Sequence, residues 1–326
     1  MASDAAFKHV GHENAWRAWR SALSGARMHH GWILAGRKGV GKAGFALAAA
    51  RELVAEPGIA ELRNAHPDIH LLTNLAATAD DEKKREEGKP YQVKRNITVD
   101  QVRAMQQRLT TRPTLGSRRA IIVDPADDME KEASNALLKS LEEPPAGTVF
   151  LLVTHRLGRL LPTIRSRCRL LLFPQLAPEQ MEAVLLAHAP EAGAATRAAA
   201  IAAAGGSPGA ALDFVELDLG KMHRLMLRLA AEGDADLALR GALADALGAR
   251  PDRRRQLAAL DLARAVVAQQ VDGIEVARIP AVTRAHAELV RLSAEAPTFN
   301  YDPGLLVMQI GTLLCSIAAS SETING

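Results

Sequence analysis

The sequence predicts an α/β protein, with one domain built on a parallel sheet and followed by helical domains. Short apolar runs recur as far as residue 173, and helix-like segments separate them. Strands of four to six residues that alternate with helices are typical of a parallel sheet covered by helices on both faces. Beyond this point the chain is rich in Ala and Leu, and no strand-like alternation stands out. We therefore expect an α/β domain over 1–173, a small helical domain over 174–219 and a larger helical domain over 220–326.

Local signals mark the elements of the first domain in order. Five apolar runs are predicted to be strands, at residues 31–35, 69–72, 120–123, 149–153 and 170–173. An Ala-rich stretch from 41 to 54 is predicted to be a helix, and a helix over 98–109 opens with a possible capping box, Thr98-x-x-Gln101. Apolar side chains at helical spacing predict an amphipathic helix over 129–141. The charged stretch 80–95 has no apolar period, which predicts a solvated, mobile loop.

The composition limits the class of protein. Hydrophobic residues make up 48% of the 326 residues but aromatics only 3%, so the core must be mostly Ala, Leu, Val and Ile. A net charge of +3 argues against a histone-like nucleic-acid binder. The two cysteines, Cys168 and Cys315, are too few for a disulfide framework or a four-cysteine zinc site. No apolar run is long enough to span a membrane and no signal peptide is visible, so we expect a cytoplasmic protein with no membrane partner.

A glycine-rich loop follows the first predicted strand. Gly36, Gly41 and Lys42 match the glycine and lysine positions of a phosphate-binding loop, and Gly39 lies between them. Glycines let backbone N–H groups turn inward around phosphate oxygens, and the lysine adds a full positive charge. The residue after the lysine should carry a hydroxyl that binds Mg²⁺, but here it is Ala43. The loop therefore predicts a nucleotide-site geometry that lacks a metal ligand.

The other parts of such a site lie at the ends of two further strands. Asp124 closes an apolar strand, as the acidic residue of a nucleotide site would, although it could also merely cap the strand end. In ATP-hydrolysing proteins of this kind a glutamate follows and activates water, whereas Pro125 can neither accept a proton nor hold water in place. Thr154, at another strand end, could contact a phosphate or be an ordinary cap. Because positioning and charge stabilisation carry phosphoryl transfer, we expect no catalysis at this site.

Several longer motifs agree on one family. The most specific is the run over 132–145, Glu-Ala-Ser-Asn-Ala-Leu-Leu-Lys-Ser-Leu-Glu-Glu-Pro-Pro. Gly-His-Glu at 11–13, the run over 28–34, His66-Pro-Asp68 and Thr-Ile-Arg-Ser-Arg-Cys at 163–168 point the same way. Together they resemble the δ′ subunits of the bacterial DNA polymerase III clamp loader, within the AAA+ ATPases. The resemblance covers residues 10–175 well, 176–219 loosely and the rest mainly by its helical character.

The resemblance implies an AAA+ P-loop domain over 1–173, a small helical lid over 174–219 and a helical collar domain over 220–326. It also implies a non-catalytic subunit that joins γ/τ motor subunits and a δ subunit in a hetero-pentamer, which loads the sliding clamp on primer–template DNA during replication. By motif position Arg167 would be an arginine finger acting in trans on a neighbour's ATP site. The planar and always charged guanidinium suits the charge that develops on phosphate. Ser166 and Cys168 are expected to shape the turn around it.

The sequence departs from the family pattern in two places. Many members carry a four-cysteine zinc module after the phosphate-loop helix, but no cysteine lies between Leu53 and His66, so we predict no zinc. His66 is then expected to be a turn residue or a hydrogen-bonding partner. Hydrolysing relatives have an arginine in the sensor 2 segment of the lid, where this chain has Gly209. We predict that no cofactor is required, with weak ATP or ADP binding still possible.

Two other functions stay open on the sequence. The first is an ATP-hydrolysing clamp-loader motor subunit of the γ/τ type. Ala43, Pro125 and Gly209 argue against this function, because they replace groups that hydrolysis needs. The second is a nucleic-acid-binding module, because five arginines and no acid lie within 155–169. Such a basic patch can bind the phosphate backbone without reading sequence.

Overall fold

The structure, a computed structural model, describes residues 10–25, 28–56, 66–89, 91–271, 274–296 and 301–318. The chain divides into two compact units, Met1–Gln180 and Met181–Gly326. The predicted division into three domains, with boundaries near 174 and 219, stays a prediction. No helix in the described ranges is long and apolar enough to cross a membrane.

The first unit is built on a five-stranded parallel sheet. Its strands are β1 (Gly31–Ala35), β2 (Ile69–Leu72), β3 (Arg119–Val123), β4 (Thr148–Thr154) and β5 (Arg169–Leu172). They lie in the order β2-β3-β4-β1-β5, and every neighbouring pair is parallel. Strands β1, β3 and β4 are buried along their whole length because helices cover both faces of the sheet. The predicted α/β class with a parallel sheet is confirmed.

Most helices of the first unit pack on one face or the other of this sheet. The helices are α1 (Glu13–Ser24), α2 (Lys42–Val54), α3 (Ala79–Glu86), α4 (Val99–Leu109), α5 (Lys131–Glu142) and α6 (Pro162–Arg165), and α7 (Pro178–His188) contains the boundary between the units. One hydrophobic core joins α1 and α2 to the sheet through Trp19, Trp32 and Phe45. The other joins α4 and α5 to it through Leu137 and Phe150. Successive residues of β1 enter alternate cores, as the period of a strand requires.

Helix ends follow the predicted caps. The Thr98 N–H donates to Oε1 of Gln101 at 3.0 Å, and the capping box at the start of α4 is present. The predicted loop over 80–95 is wrong in its first half, where α3 forms. Thr78 caps that helix by accepting from the Asp81 N–H, and acidic residues fill its first turn while basic residues fill its last. Acidic residues at the start and basic residues at the end of a helix interact favourably with the helix dipole. The cap and these charges stabilise α3 although it has no apolar face.

The described part of the second unit beyond α7 is helical. Its helices are α8 (Ala194–Ala204), α9 (Pro208–Glu216), α10 (Gly220–Glu232), α11 (Ala238–Leu247), α12 (Arg253–Gln269), α13 (Ile279–Glu295) and α14 (Pro303–Cys315). The predicted helical character of this half is confirmed. Asp302 caps α14, since its carboxylate accepts from the Leu305 N–H at 2.9 Å.

Candidate nucleotide loop and arginine site

The parallel sheet brings the predicted nucleotide-site residues to one edge. The phosphate loop leaves β1 at Gly36, Asp124 follows β3, and Thr154 is the last residue of β4. Because these strands are parallel neighbours, their carboxyl ends lie side by side. The Gly36 N–H donates to the Thr154 carbonyl at 3.3 Å, which joins the loop directly to the end of β4.

Steric limits require glycine at three positions of the loop. Gly39 and Gly41 have φ angles of 79° and 95°, a region that side chains with a Cβ rarely adopt. At Gly36 the limit is space, because a Cβ atom would lie 2.3 Å from the Phe173 carbonyl oxygen. The sequence signal of a phosphate loop therefore corresponds to a loop backbone that only glycine permits at these positions.

The Lys42 ammonium is bonded to the loop itself. Nζ donates to the carbonyl oxygens of Gly36 and Arg37, both at 2.6 Å, and the residue is only 3% exposed. An ammonium has three N–H donors, so these two bonds take most of its capacity. A phosphate group would have to displace them to reach this charge.

His12 supports the same loop from outside the motif. Its Nε2 lies 2.6 Å from the Val40 carbonyl oxygen, and the residue is 3% exposed. Burial lowers the pKa of this imidazole below its usual value. Sequence reasoning used His12 only as part of the family resemblance, because no local spacing links it to a loop 28 residues away.

Asp127 is a site residue whose role the sequence did not reveal. Its carboxylate accepts from the Thr154 hydroxyl at 2.5 Å and from the His155 N–H at 2.5 Å. Thr154 is fully buried, and its hydroxyl is thus bonded to a carboxylate of this chain. No sequence motif links Asp127 to Thr154, because the two residues meet only through the pairing of β3 with β4.

His155 adds a second unpredicted group. Burial, and after it the positive charge of Lys42, lowers the pKa of His155 to about 4. Its imidazole is therefore neutral at pH 7. Its Nδ1 is buried and has no hydrogen-bond partner within the described ranges.

Arg167 lies between α6 and β5, away from the glycine loop in sequence. Its Nη2 is 2.8 Å from Oε1 of Glu142 at the end of α5, and its Nη1 donates to the Thr163 carbonyl at 3.0 Å. The side chain is 36% exposed. Sequence reasoning identified this arginine but not its acidic partner.

The residues beside Arg167 shape the turn, as predicted. The Ser166 hydroxyl donates to the Thr163 carbonyl at 3.1 Å. Cys168 packs against Gly31 so closely that a Cβ there would lie 2.8 Å from its sulfur. Burial raises the pKa of the Cys168 thiol to about 12, which keeps it protonated and unreactive.

The arginines of 155–169 do not form one uniform surface. Arg167 is paired with Glu142, and the guanidinium of Arg169 lies 5.1 Å from the centre of the Trp32 ring. Arg156, Arg159 and Arg165 are exposed. Two of the five therefore have partners within the chain that a nucleic acid would compete with.

His66 is a turn residue, as expected. Its Nδ1 accepts from the Asp68 N–H at 3.1 Å, and its carbonyl accepts from Ile69. Part of the stretch where a zinc module would lie, residues 57–65, is outside the described residues. Among the residues that the structure does describe, no group of three or more His, Cys, Asp or Glu side chains could hold a metal ion. The absence of zinc stays a prediction.

The parallel sheet and the glycine loop between β1 and α2 define a domain of the P-loop class. The model of the family described as DNA polymerase III, delta subunit, matches residues 11–177, which is about half of the chain. The chain belongs to this family.

Individual relatives include two kinds of subunit. DNA polymerase III subunit delta′ of Pseudomonas aeruginosa is 36% identical over 161 residues, covering 45% of this chain and 44% of that protein. The Escherichia coli subunit delta′ is 37% identical over 154 residues, covering 47% and 41%. Subunit gamma/tau of Mycobacterium tuberculosis is 30% identical over 260 residues, covering 74% and 42%. The chain thus spans less than half the length of these relatives.

Among solved structures, a DNA polymerase III gamma subunit-related protein of Thermotoga maritima superposes with a TM-score of 0.49 at 19% identity, covering 92% of this chain and 98% of that one.

Proposed function

We propose that this chain is a non-catalytic clamp-loader subunit of the δ′ type. It assembles with γ/τ motor subunits and a δ subunit in a hetero-pentamer that loads the sliding clamp on primer–template DNA in the cytoplasm. In that assembly it supplies Arg167 to the ATP site of a neighbouring motor subunit. It requires no cofactor and no zinc of its own.

One observation carries the non-catalytic part of the proposal. The loop's own carbonyls hold the Lys42 ammonium, at a site where Ala43 and Pro125 replace the groups that hydrolysis needs. Gly209, in the first turn of α9, leaves a third place without the arginine of hydrolysing relatives. Because phosphoryl transfer depends on positioning and charge stabilisation, three missing groups are expected to abolish turnover.

The arginine part of the proposal is supported by the setting of Arg167. The side chain is partly exposed, and its contacts are to a surface carboxylate and to the turn that carries it. A guanidinium stays charged at any physiological pH and can bind phosphate oxygens through two N–H groups at once. It is therefore suited to act on a partner's nucleotide.

Changing Arg167→Ala tests this role in the reconstituted assembly. An arginine finger accelerates hydrolysis by on the order of 10³–10⁵, so the one ATP site that Arg167 serves should lose almost all of its hydrolysis. Total ATPase should fall by that site's share, while the variant keeps the melting temperature of the parent chain. The matched control is Arg165→Ala, because Arg165 is an exposed arginine two residues away, at the end of α6. Unchanged ATPase in the Arg167 variant would contradict the assignment.

The runner-up is an ATP-hydrolysing motor subunit, and the extent of the gamma/tau alignment favours it, since that alignment covers 74% of this chain. Steady-state ATPase of the purified chain distinguishes the two candidates. We expect no turnover; turnover that disappears in Lys42→Ala would establish the motor instead. We also expect any ADP binding to be weak and almost independent of Mg²⁺ in calorimetry, because Ala43 has no oxygen to offer the metal.

A further inference from the structure

The guanidinium of Arg167 is held from two helices. Glu142 approaches Nη2 from the end of α5, and the Thr163 carbonyl and Ser166 hydroxyl accept from Nη1 at 3.0 Å and 3.4 Å on the side of α6. Its Nε has no partner among the described residues. The side chain is thus ordered on the surface and keeps a donor for a further acceptor.

Both helices that hold Arg167 are fixed by the core. Glu142 is the last residue of α5, and Leu137 and Leu141 just before it are buried. The prolines at 144 and 145 cannot continue the helix, so α5 ends there. Ile164 is fully buried and anchors α6. The carboxylate is therefore presented from a backbone that has little freedom to move.

This ion pair is too exposed to be important for the stability of the fold. The side chains of Arg167 and Glu142 are 36% and 49% exposed, and solvent weakens such pairs strongly. The pair instead restricts the side chain of Arg167. A long arginine side chain loses rotamer entropy when it binds, and a side chain that is already ordered loses less of it.

We propose that Glu142 is a positioning residue for Arg167. By ordering the guanidinium it prepares the finger to meet the charge that develops on the ATP of a neighbouring subunit. The inference rests on the proposed function, because it requires Arg167 to act in trans. Glu142 itself does not contact the nucleotide in this role.

The reconstituted assembly tests the inference through the Arg167-dependent ATPase, defined as the difference between assemblies with the parent chain and with Arg167→Ala. Glu142→Ala is expected to lower the kcat of that component roughly three- to tenfold, equivalent to about 0.7–1.4 kcal/mol. KM should stay unchanged, because the interaction with the nucleotide strengthens only in the transition state. Glu142→Gln keeps an oxygen acceptor for Arg167 and should restore kcat to within about twofold of the parent.

Controls separate positioning from structure. Glu143→Ala changes the neighbouring exposed carboxylate, for which the described residues offer no hydrogen bond or ion pair, and should leave kcat unchanged. Each variant should keep the parent melting temperature, since the pair is exposed. Glu142→Ala combined with Arg167→Ala should match Arg167→Ala alone, because Glu142 acts only through the arginine.

Three results would overturn the positioning role. One is a higher kcat in Glu142→Ala, which would mean that the carboxylate holds the finger back. Another is a further loss in the double variant, which would mean that Glu142 acts by another route. The third is an unchanged kcat in Glu142→Ala while Arg167→Ala lowers turnover, and in that case only this inference fails. If Arg167→Ala itself has no effect, the proposed arginine finger fails.

Discussion

His155 lies near the positive charge of Lys42, and its own backbone N–H donates to the Asp127 carboxylate. Burial is the largest influence on its imidazole, and it disfavours the charged form more than the Asp127 carboxylate favours it. The imidazole of His155 therefore stays neutral although charged groups, among them Lys42 and Asp127, lie close to it. A proton on His155 would place a second cation close to the Lys42 ammonium.

This arrangement predicts a pH-dependent stability. The folded pKa of about 4 lies below the unfolded value of about 6.5, so between these pH values the unfolded chain binds a proton that the folded chain does not. The free energy of unfolding should therefore fall as the pH is lowered from about 6.5 to 4. His155→Gln should make that slope shallower in urea unfolding.

His188→Gln is the control for removing a histidine at an exposed position. A slope in His155→Gln that equals the parent's would show that this histidine does not titrate as its burial implies. Because the comparison is between variants at each pH, titration of the other acids and histidines cancels.

At the scale of elements, buried polar side chains connect loops to strand ends. Asp68, just before β2, is 1% exposed, and its two carboxylate oxygens accept from Thr114 N–H at 2.6 Å and from Leu115 N–H at 2.9 Å. Its carbonyl accepts from Ala120 at the start of β3. The loop between α4 and β3 is thus fastened to the neighbouring strand by one residue.

We predict that Asp68→Asn destabilises the fold by about 1–3 kcal/mol. The amide of asparagine offers one acceptor oxygen, so one of the two loop N–H groups would face an NH₂ group and stay unsatisfied. Urea unfolding measures the loss. Asp100→Asn is the matched control, since the Asp100 side chain is 87% exposed and should change stability by less than about 0.5 kcal/mol. Equal stability of both variants would contradict this role.

At the scale of the whole molecule, each compact unit has its own internal connections. In the second unit Arg255 donates to the Leu217 carbonyl after α9 and to the carbonyls of Ala246 and Leu247 at the end of α11. Its neighbour Arg254 pairs with Asp213 and Glu216 on α9. The bonds of Arg255 satisfy carbonyl groups that helix ends leave open. They join α9 to α12 across residue 219, where the lid and collar are predicted to meet.

Much of the first unit could be predicted because its signals are local. The five strands were visible as short apolar runs, and the caps at Thr98 and Asp302 follow from side chains three residues from their partners. Helix α3 escaped prediction because its signal is the order of its charges and a threonine cap rather than an apolar period. The glycine loop could be recognised since its backbone needs glycine at fixed spacing.

By itself, the sequence determined the α/β class, the five strands, the phosphate loop with its missing hydroxyl, and the arginine at 167. Only the tertiary structure decided which groups these residues meet: the loop carbonyls for Lys42, Asp127 for Thr154, and Glu142 for Arg167. The physical reason is the distance along the chain over which each interaction acts. Helices, strands and caps depend on neighbours within a few residues, whereas Asp127 and Thr154 are 27 residues apart and meet only because β3 pairs with β4.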